Sequence, residues 1–328
     1  MRCTNKRLLA SLLLLAVLFL SGCGGSDYAL KYDPDTNITA FTFDSANNEA
    51  GCESFASSLC VTDSDIISAD AASIAAEAGG LFCAYDNETL YSKNANAKMN
   101  PASLTKVMTA LLALEYGNLE DTLTASSNVI INENGAQVMH LNEGDRLTLD
   151  QALHALLLSS ANDCGVLIAE YVAGSVEAFA SLMNKKALSL GATNTHFVNP
   201  HGLNNEDHYT TAYDLYLIFN EAIRYEKFCQ LINESEYTFS YKDRDGNPKE
   251  YTCNSTNGYI SGDFEVPQGI TVVGGKTGTT SAAGSCLIIL SKDSKNKAYI
   301  SVLLHDTDRD ITYKDMSVLL NMAQNHTR

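Results

Sequence analysis

The sequence predicts an α+β fold: an antiparallel sheet assembled from distant segments, flanked by helices, with a mainly helical subdomain inserted between the strands. Two observations predict it. Segments near both ends read as strands, and the long middle stretch carries helical spacing. The composition of the 328 residues, 45% hydrophobic and 19% charged, supplies enough apolar material for a sizeable core.

The elements follow in chain order. MRCTNKRLLASLLLLAVLFLSGCGG opens with Arg2, Lys6 and Arg7, then an apolar run from Leu8 to Leu20, then small residues. That run is shorter than the roughly 20 residues a spanning helix needs, so residues 1–22 read as an export signal. Residues 23–75 are rich in Ser, Asp, Asn and Ala without periodicity and read as a tether. The folded domain is expected over 76–328, with its sheet drawn from about 76–92 and 250–310 and its helices from about 103–230.

GGLFCAY (79–85) and TLYS (89–92), parted by Asp86-Asn87-Glu88, form a predicted hairpin. Leu104, Val107, Met108, Leu111 and Leu112 recur at helical spacing before Gly117, so one face of that helix must be buried. Helical patterns continue through LTLDQALHALLLSS, NDCGVLIAEYVAG, VEAFASLMNKKALSLG and TAYDLYLIFNEAIRYEKF. ITVVGGKTG, SCLIILSKD and KAYISVLLHD then return to strand character, and DMSVLLNMAQ reads as a last helix.

Charge and cysteines exclude some functions. The net charge is −17 and becomes more acidic once the basic signal is removed, which disfavours nucleic acid and anionic lipid headgroups as partners. Nine cysteines include Cys3 and Cys23; the remaining seven match no zinc spacing, and only Cys52 and Cys60 suggest a local disulfide. His140, His154, His196, His201, His208 and His305 are scattered, so neither a metal nor another cofactor is expected.

The chemistry-bearing residues begin at PASLTKVMTALLALE. Ser103 and Lys106 stand three apart at the start of the buried helix, on one side of its first turn, and no acidic residue nearby in the segment neutralises the lysine. The spacing alone is weak evidence, because Ser294 and Lys297 repeat it in a polar turn. Ser-x-Asn also recurs, at Ser45, Ser126, Ser160 and Ser255, but only Ser160-Ala161-Asn162 lies between two apolar helices. Lys276-Thr277-Gly278 occurs once, at the end of a strand.

The order of these motifs, with LLLSSANDC, NTHFVNPHGL, HYTTAYDL and GGKTGTTSAAGSCL, resembles the low-molecular-mass penicillin-binding proteins, the serine-type D-alanyl-D-alanine carboxypeptidases of the β-lactamase/DD-peptidase-like fold. The resemblance covers roughly residue 79 to the C-terminus. It implies an enzyme that removes the terminal D-Ala from peptidoglycan stem pentapeptides through an acyl-enzyme and is acylated by β-lactam antibiotics such as penicillin. Ser103 matches the nucleophile, Lys106 the general base, Ser160 a proton relay and Asn162 a group that holds Lys106 and the substrate amide. Lys276, Thr277, Gly278 and Thr279 match the substrate-binding strand, with the backbone N–H groups of Ser103 and Thr279 as oxyanion donors.

The chain departs from the family pattern in places. Ala161 stands where the motif has Asp, Thr279 where some members have His, and DTDRDITYKD aligns poorly with the stretch that carries a substrate-binding Arg, leaving Arg309 as a substitute. The C-terminal β-domain of larger carboxypeptidases is not expected. Leu20-Ser21-Gly22-Cys23 resembles a lipobox, which implies lipid on Cys23 and anchorage at the extracytoplasmic face of a bacterial membrane. DD-endopeptidase activity stays open as an alternative. A class A-like β-lactamase would need a later glutamate in an E-x-x-L-N motif, which is absent, and a non-catalytic β-lactam-sensing or wall-binding lipoprotein would need no intact set of catalytic residues.

Overall fold

A computed structural model describes residues 57–326. The signal segment, Cys23, Cys52 and most of the expected tether lie outside the described residues.

Five strands build the main sheet: β1 (Ala78–Cys83), β2 (Glu88–Lys93), β7 (Ile270–Thr280), β8 (Gly284–Asp293) and β9 (Ala298–Asp306). Their order is β2-β1-β9-β8-β7, and every pairing is antiparallel. Side chains alternate across this sheet. Ile288 and Leu290 of β8 enter a core with the helices, while Leu287 and Ile289 enter a second core against α7 (Arg309–Asn325). Both faces are therefore covered, which explains why SCLIIL and AYISVLL are nearly continuous apolar runs rather than alternating ones.

The helical region comprises α1 (Lys106–Tyr116), α2 (Leu149–Leu157), α3 (Asn162–Ala173), α4 (Val176–Ser189), α5 (Ala212–Ala222) and α6 (Glu226–Asn233). Helix α1 is buried on more than the one face its spacing predicts. All residues from Lys106 to Ala113 are enclosed, as expected of a helix passing through the middle of a core. Helix α2 starts on a capping box between Thr148 and Gln151.

Two expectations are corrected. The sheet does not extend continuously from 250: β5 (Glu236–Lys242) and β6 (Pro248–Asn254) form a hairpin in a separate four-stranded sheet with β3 (Thr122–Thr124) and β4 (Arg146–Thr148). Residues 122–124 and 146–148 are thus strands within a region read as helical. The tether also ends earlier than residue 75. Cys60, Ala71, Ile74 and Ala76 are buried in the two cores, Ile66 pairs with Ser92, and Asp315 of α7 accepts the Ala76 N–H at 3.1 Å. Cys60 is buried and its thiol donates to the Cys83 carbonyl at 3.4 Å, while Cys52, its suggested disulfide partner, lies outside the described residues.

Candidate active site

The site is set at the start of α1. Residues Ala102–Thr105 form one 3-10 turn that leads directly into the α-helix at Lys106. A 3-10 turn has three residues per revolution, so residues i and i+3 eclipse one another. Ser103 and Lys106 therefore lie side by side, with 2.8 Å between Oγ and Nζ.

Lys106 is fully buried, and two further segments reach its amine. Asn162 Oδ1, from the first residue of α3, lies at 2.6 Å, and the His201 carbonyl lies at 2.7 Å. All three partners are uncharged. Burial, and then the positive charge of Lys276, push the Lys106 amine well below its ordinary value of 10.5, with Asp163 opposing weakly. Neutral lysine has two N–H donors and one lone pair. The two donors match the two pure acceptors, Asn162 Oδ1 and the His201 carbonyl, leaving the lone pair for the Ser103 hydroxyl. This arrangement can take the proton of Ser103.

Ser160 sits in the turn before α3 with φ of +59°, a left-handed conformation rare for a residue with a side chain. Backbone bonds secure this turn, from Ala161 N–H to the Ala155 carbonyl at 3.0 Å and from Asn162 N–H to the Gln137 carbonyl at 2.8 Å. Asp163, buried behind it, accepts the N–H groups of Met139 and Leu141 at 3.0 Å each. Strand β7 carries Lys276, which donates to Ser160 Oγ at 3.0 Å and to the Thr277 carbonyl at 2.9 Å. Burial pushes the Lys276 amine down to about 7.

Gly278 of β7 faces the turn at Ser103 closely. A Cβ there would stand 3.0 Å from the Ser103 nitrogen and 3.1 Å from Ala102 Cβ, so only glycine lets the strand pass this near. Between these parts opens a cavity of about 420 Å³ whose walls include Ser103, Ser160, Thr277, Gly278, Thr279 and Arg309. The two hydroxyls reach this wall, whereas the two lysine amines lie beneath it.

The structure thus brings together Ser103, Lys106, Ser160, Asn162, Lys276, Thr277, Gly278 and Thr279. Arg309, at the start of α7, joins the same cavity, paired with Asp263 at 2.7 Å and placed over the rings of Phe264 and Tyr313 at 4.9 and 5.4 Å. Sequence reasoning missed three contributors. Thr256, in a Ser-x-Asn stretch read as background, bonds Thr277 Oγ1 at 2.7 Å and lines the cavity. Gln137 lines it as well, and the His201 contribution is a backbone carbonyl. Only the polar stretch around Thr256, just after β6, could have singled out any of these.

The control pair Ser294 and Lys297 stands in the β8–β9 turn, where Lys297 pairs with Asp86 at 2.7 Å. Among the described residues, Cys83, Asp86 and His326 bring metal-type ligand atoms within 4.8 Å of one another, but they belong to the β1–β2 turn and the end of the chain rather than to the serine cavity.

Residues 65–308 match the D-alanyl-D-alanine carboxypeptidase family. The chain belongs to that family. The carboxypeptidase DacF of Bacillus subtilis is 33% identical over 228 residues, covering 68% of this chain and 56% of the relative. The carboxypeptidase DacC of Escherichia coli is 32% identical over 262 residues, covering 76% of this chain and 62% of the relative. The chain thus spans about three-fifths of the length of these curated relatives. A crystal structure of a Streptomyces DD-transpeptidase superposes with a TM-score of 0.70 at 29% identity, covering 76% of this chain and 97% of that one. The fold is accordingly that of the DD-peptidases.

The closeness of Gly278 to Ser103 makes a specific prediction. Gly278→Ala should fold, with a melting temperature within a few degrees of the parent, but react with fluorescent penicillin at Ser103 at least about tenfold more slowly, because the added methyl separates strand from turn. Unchanged labelling would show that this approach is irrelevant to nucleophile geometry.

Proposed function

We propose that the protein is a serine-type D-alanyl-D-alanine carboxypeptidase acting on peptidoglycan stem peptides. The observation that carries the reading is the pairing of the Ser103 hydroxyl with a buried lysine amine whose other partners are neutral acceptors. Ser103 Oγ attacks the carbonyl of the terminal D-Ala-D-Ala bond while its proton passes to Lys106. The backbone N–H groups of Ser103 and Thr279 receive the developing oxyanion, where a donor of this kind contributes about 3 kcal/mol. The departing D-Ala amine takes a proton through Ser160, held by Lys276, and water then releases the acyl group. The β-lactam ring of penicillin is opened by the same attack and stays on Ser103.

The substrate ends in a carboxylate. Lys276, Thr277 and Arg309, all in or beneath the cavity wall, supply its positive and hydroxyl partners, while Asn162 aligns both Lys106 and the substrate amide. Strand β7 has β8 on one side only, so its other edge is available to an extended peptide.

The test is D-Ala release from a synthetic pentapeptide ending in D-Ala-D-Ala. The parent protein should release D-Ala, Ser103→Ala should lose at least about 10⁴-fold of that rate, and Arg309→Leu should raise KM by roughly tenfold with a smaller change in kcat. A parent that releases no D-Ala, or a Ser103→Ala protein that still does, contradicts the assignment.

We also propose that the protein is exported and held at the extracytoplasmic face of the membrane by lipid on Cys23. The basic, apolar and lipobox-like order of residues 2–23 supports this. Cys23→Ala should move the protein from the membrane fraction to the soluble fraction; unchanged membrane retention would sink the anchor.

A further inference from the structure

Ala102, immediately before the nucleophile, has φ of +46°. A left-handed conformation is disfavoured for a residue with a Cβ, so neighbouring contacts must hold it. Two of them converge on its carbonyl. The Thr105 hydroxyl donates to the Ala102 oxygen at 2.8 Å. Gly202, from the loop that also provides the His201 carbonyl, packs so closely that a Cβ there would stand 1.8 Å from that oxygen.

The Thr105 hydroxyl has one proton, and it is committed to Ala102. Its second contact, with His208 Nε2 at 2.8 Å, must therefore be one that the hydroxyl accepts. The other ring nitrogen gives the same tautomer independently: Nδ1 accepts the Val198 N–H at 3.1 Å, so the ring proton resides on Nε2. His208 is buried against Phe197, edge to face at 5.6 Å, and the backbone bridges Met99–Thr210 and His196–Tyr209 hold its segment beside the residues leading into the nucleophile turn. Burial, and then the charge of His196, push its pKa down to about 4, so the ring is neutral across the physiological range.

We propose that His208 is a positioning residue for acylation: its Nε2–H orients the Thr105 hydroxyl onto the Ala102 carbonyl and so holds the left-handed turn that aims Ser103 at Lys106 and the cleft. This rests on the acyl-enzyme reading above. His208 touches neither Ser103 nor Lys106; it acts two hydrogen bonds away, through the backbone.

Two conservative substitutions separate this role from simple packing. Glutamine places an amide N–H near the position of Nε2 and can keep the bond to Thr105, whereas asparagine places its amide near Nδ1 and can keep only the bond from Val198. The rate of acylation by fluorescent penicillin is measured for the parent, His208→Gln, His208→Asn, Thr105→Val and the Thr105→Val/His208→Asn double variant, with melting temperatures alongside. The expected result is a rate within about threefold of the parent for His208→Gln and a loss of roughly 10- to 100-fold for His208→Asn and Thr105→Val, the range a small misplacement of a reacting group produces. The double variant should be no slower than the slower single, because both changes break one chain of bonds.

Parent-like acylation by His208→Asn, or losses that multiply in the double variant, would overturn the proposal. Should His208→Asn melt below the assay temperature, Thr105→Val decides: parent-like acylation overturns the chain, and a loss with folded protein supports it. Failure of the parent itself to be acylated is a distinct result, which overturns the acyl-enzyme reading and this inference with it.

Discussion

The structure turns on one constraint: the Lys106 amine is buried among neutral partners. A charged ammonium removed from water costs several kcal/mol unless a carboxylate or comparable partner offsets it. Here the partners are a hydroxyl, a carboxamide oxygen and a backbone carbonyl, and the nearby lysine makes the charged form still less favourable. The surroundings therefore favour the neutral amine over the ammonium. The absence of a carboxylate among its hydrogen-bond partners, which looks like a defect in a buried helix, favours the form that has a lone pair.

Much of the fold serves to keep those three partners in place. Asn162 depends on where α3 begins, and that start is tied to Gln137 and, through Asp163, to Met139 and Leu141. The His201 carbonyl belongs to a loop whose Pro200 carbonyl accepts the Thr109 hydroxyl of α1 at 2.6 Å, so loop and helix are joined one turn beyond the site. Two of the non-glycine residues with positive φ stand at the cavity: Ala102, immediately before Ser103, and Ser160, whose own hydroxyl lines it. Enclosing α1 on all sides makes this precision possible, because a helix in a close-packed core has little freedom to shift.

Much of this was legible in the sequence, for identifiable reasons. Helical spacing around Lys106, the Ser-x-Asn turn between apolar helices and Lys-Thr-Gly at a strand end are side-chain patterns, and the resemblance to the carboxypeptidases joined them into one site. The contributions that escaped are of another kind. The carbonyl of His201 has no side-chain signature, since any residue there offers the same oxygen. Thr256 looked like background because Ser-x-Asn recurs, and only the proximity of β7 gives it a partner. The β5–β6 hairpin went unread although Tyr237, Phe239 and Tyr241 alternate before Asp245-Gly246, because that sheet is small and half exposed and its apolar signal is carried by aromatics. Cys60 and Ile74 show the converse: a segment with polar composition can still contribute single residues to a core.

The central claim is most directly tested by titrating the Lys106 amine itself. In protein labelled with ¹³C at lysine Cε, the Lys106 resonance, assigned by its loss in Lys106→Gln, should titrate well below the ordinary lysine value of 10.5. A resonance that remains that of an ammonium up to pH 10 would contradict the account, because Lys106 would then have no lone pair to offer Ser103.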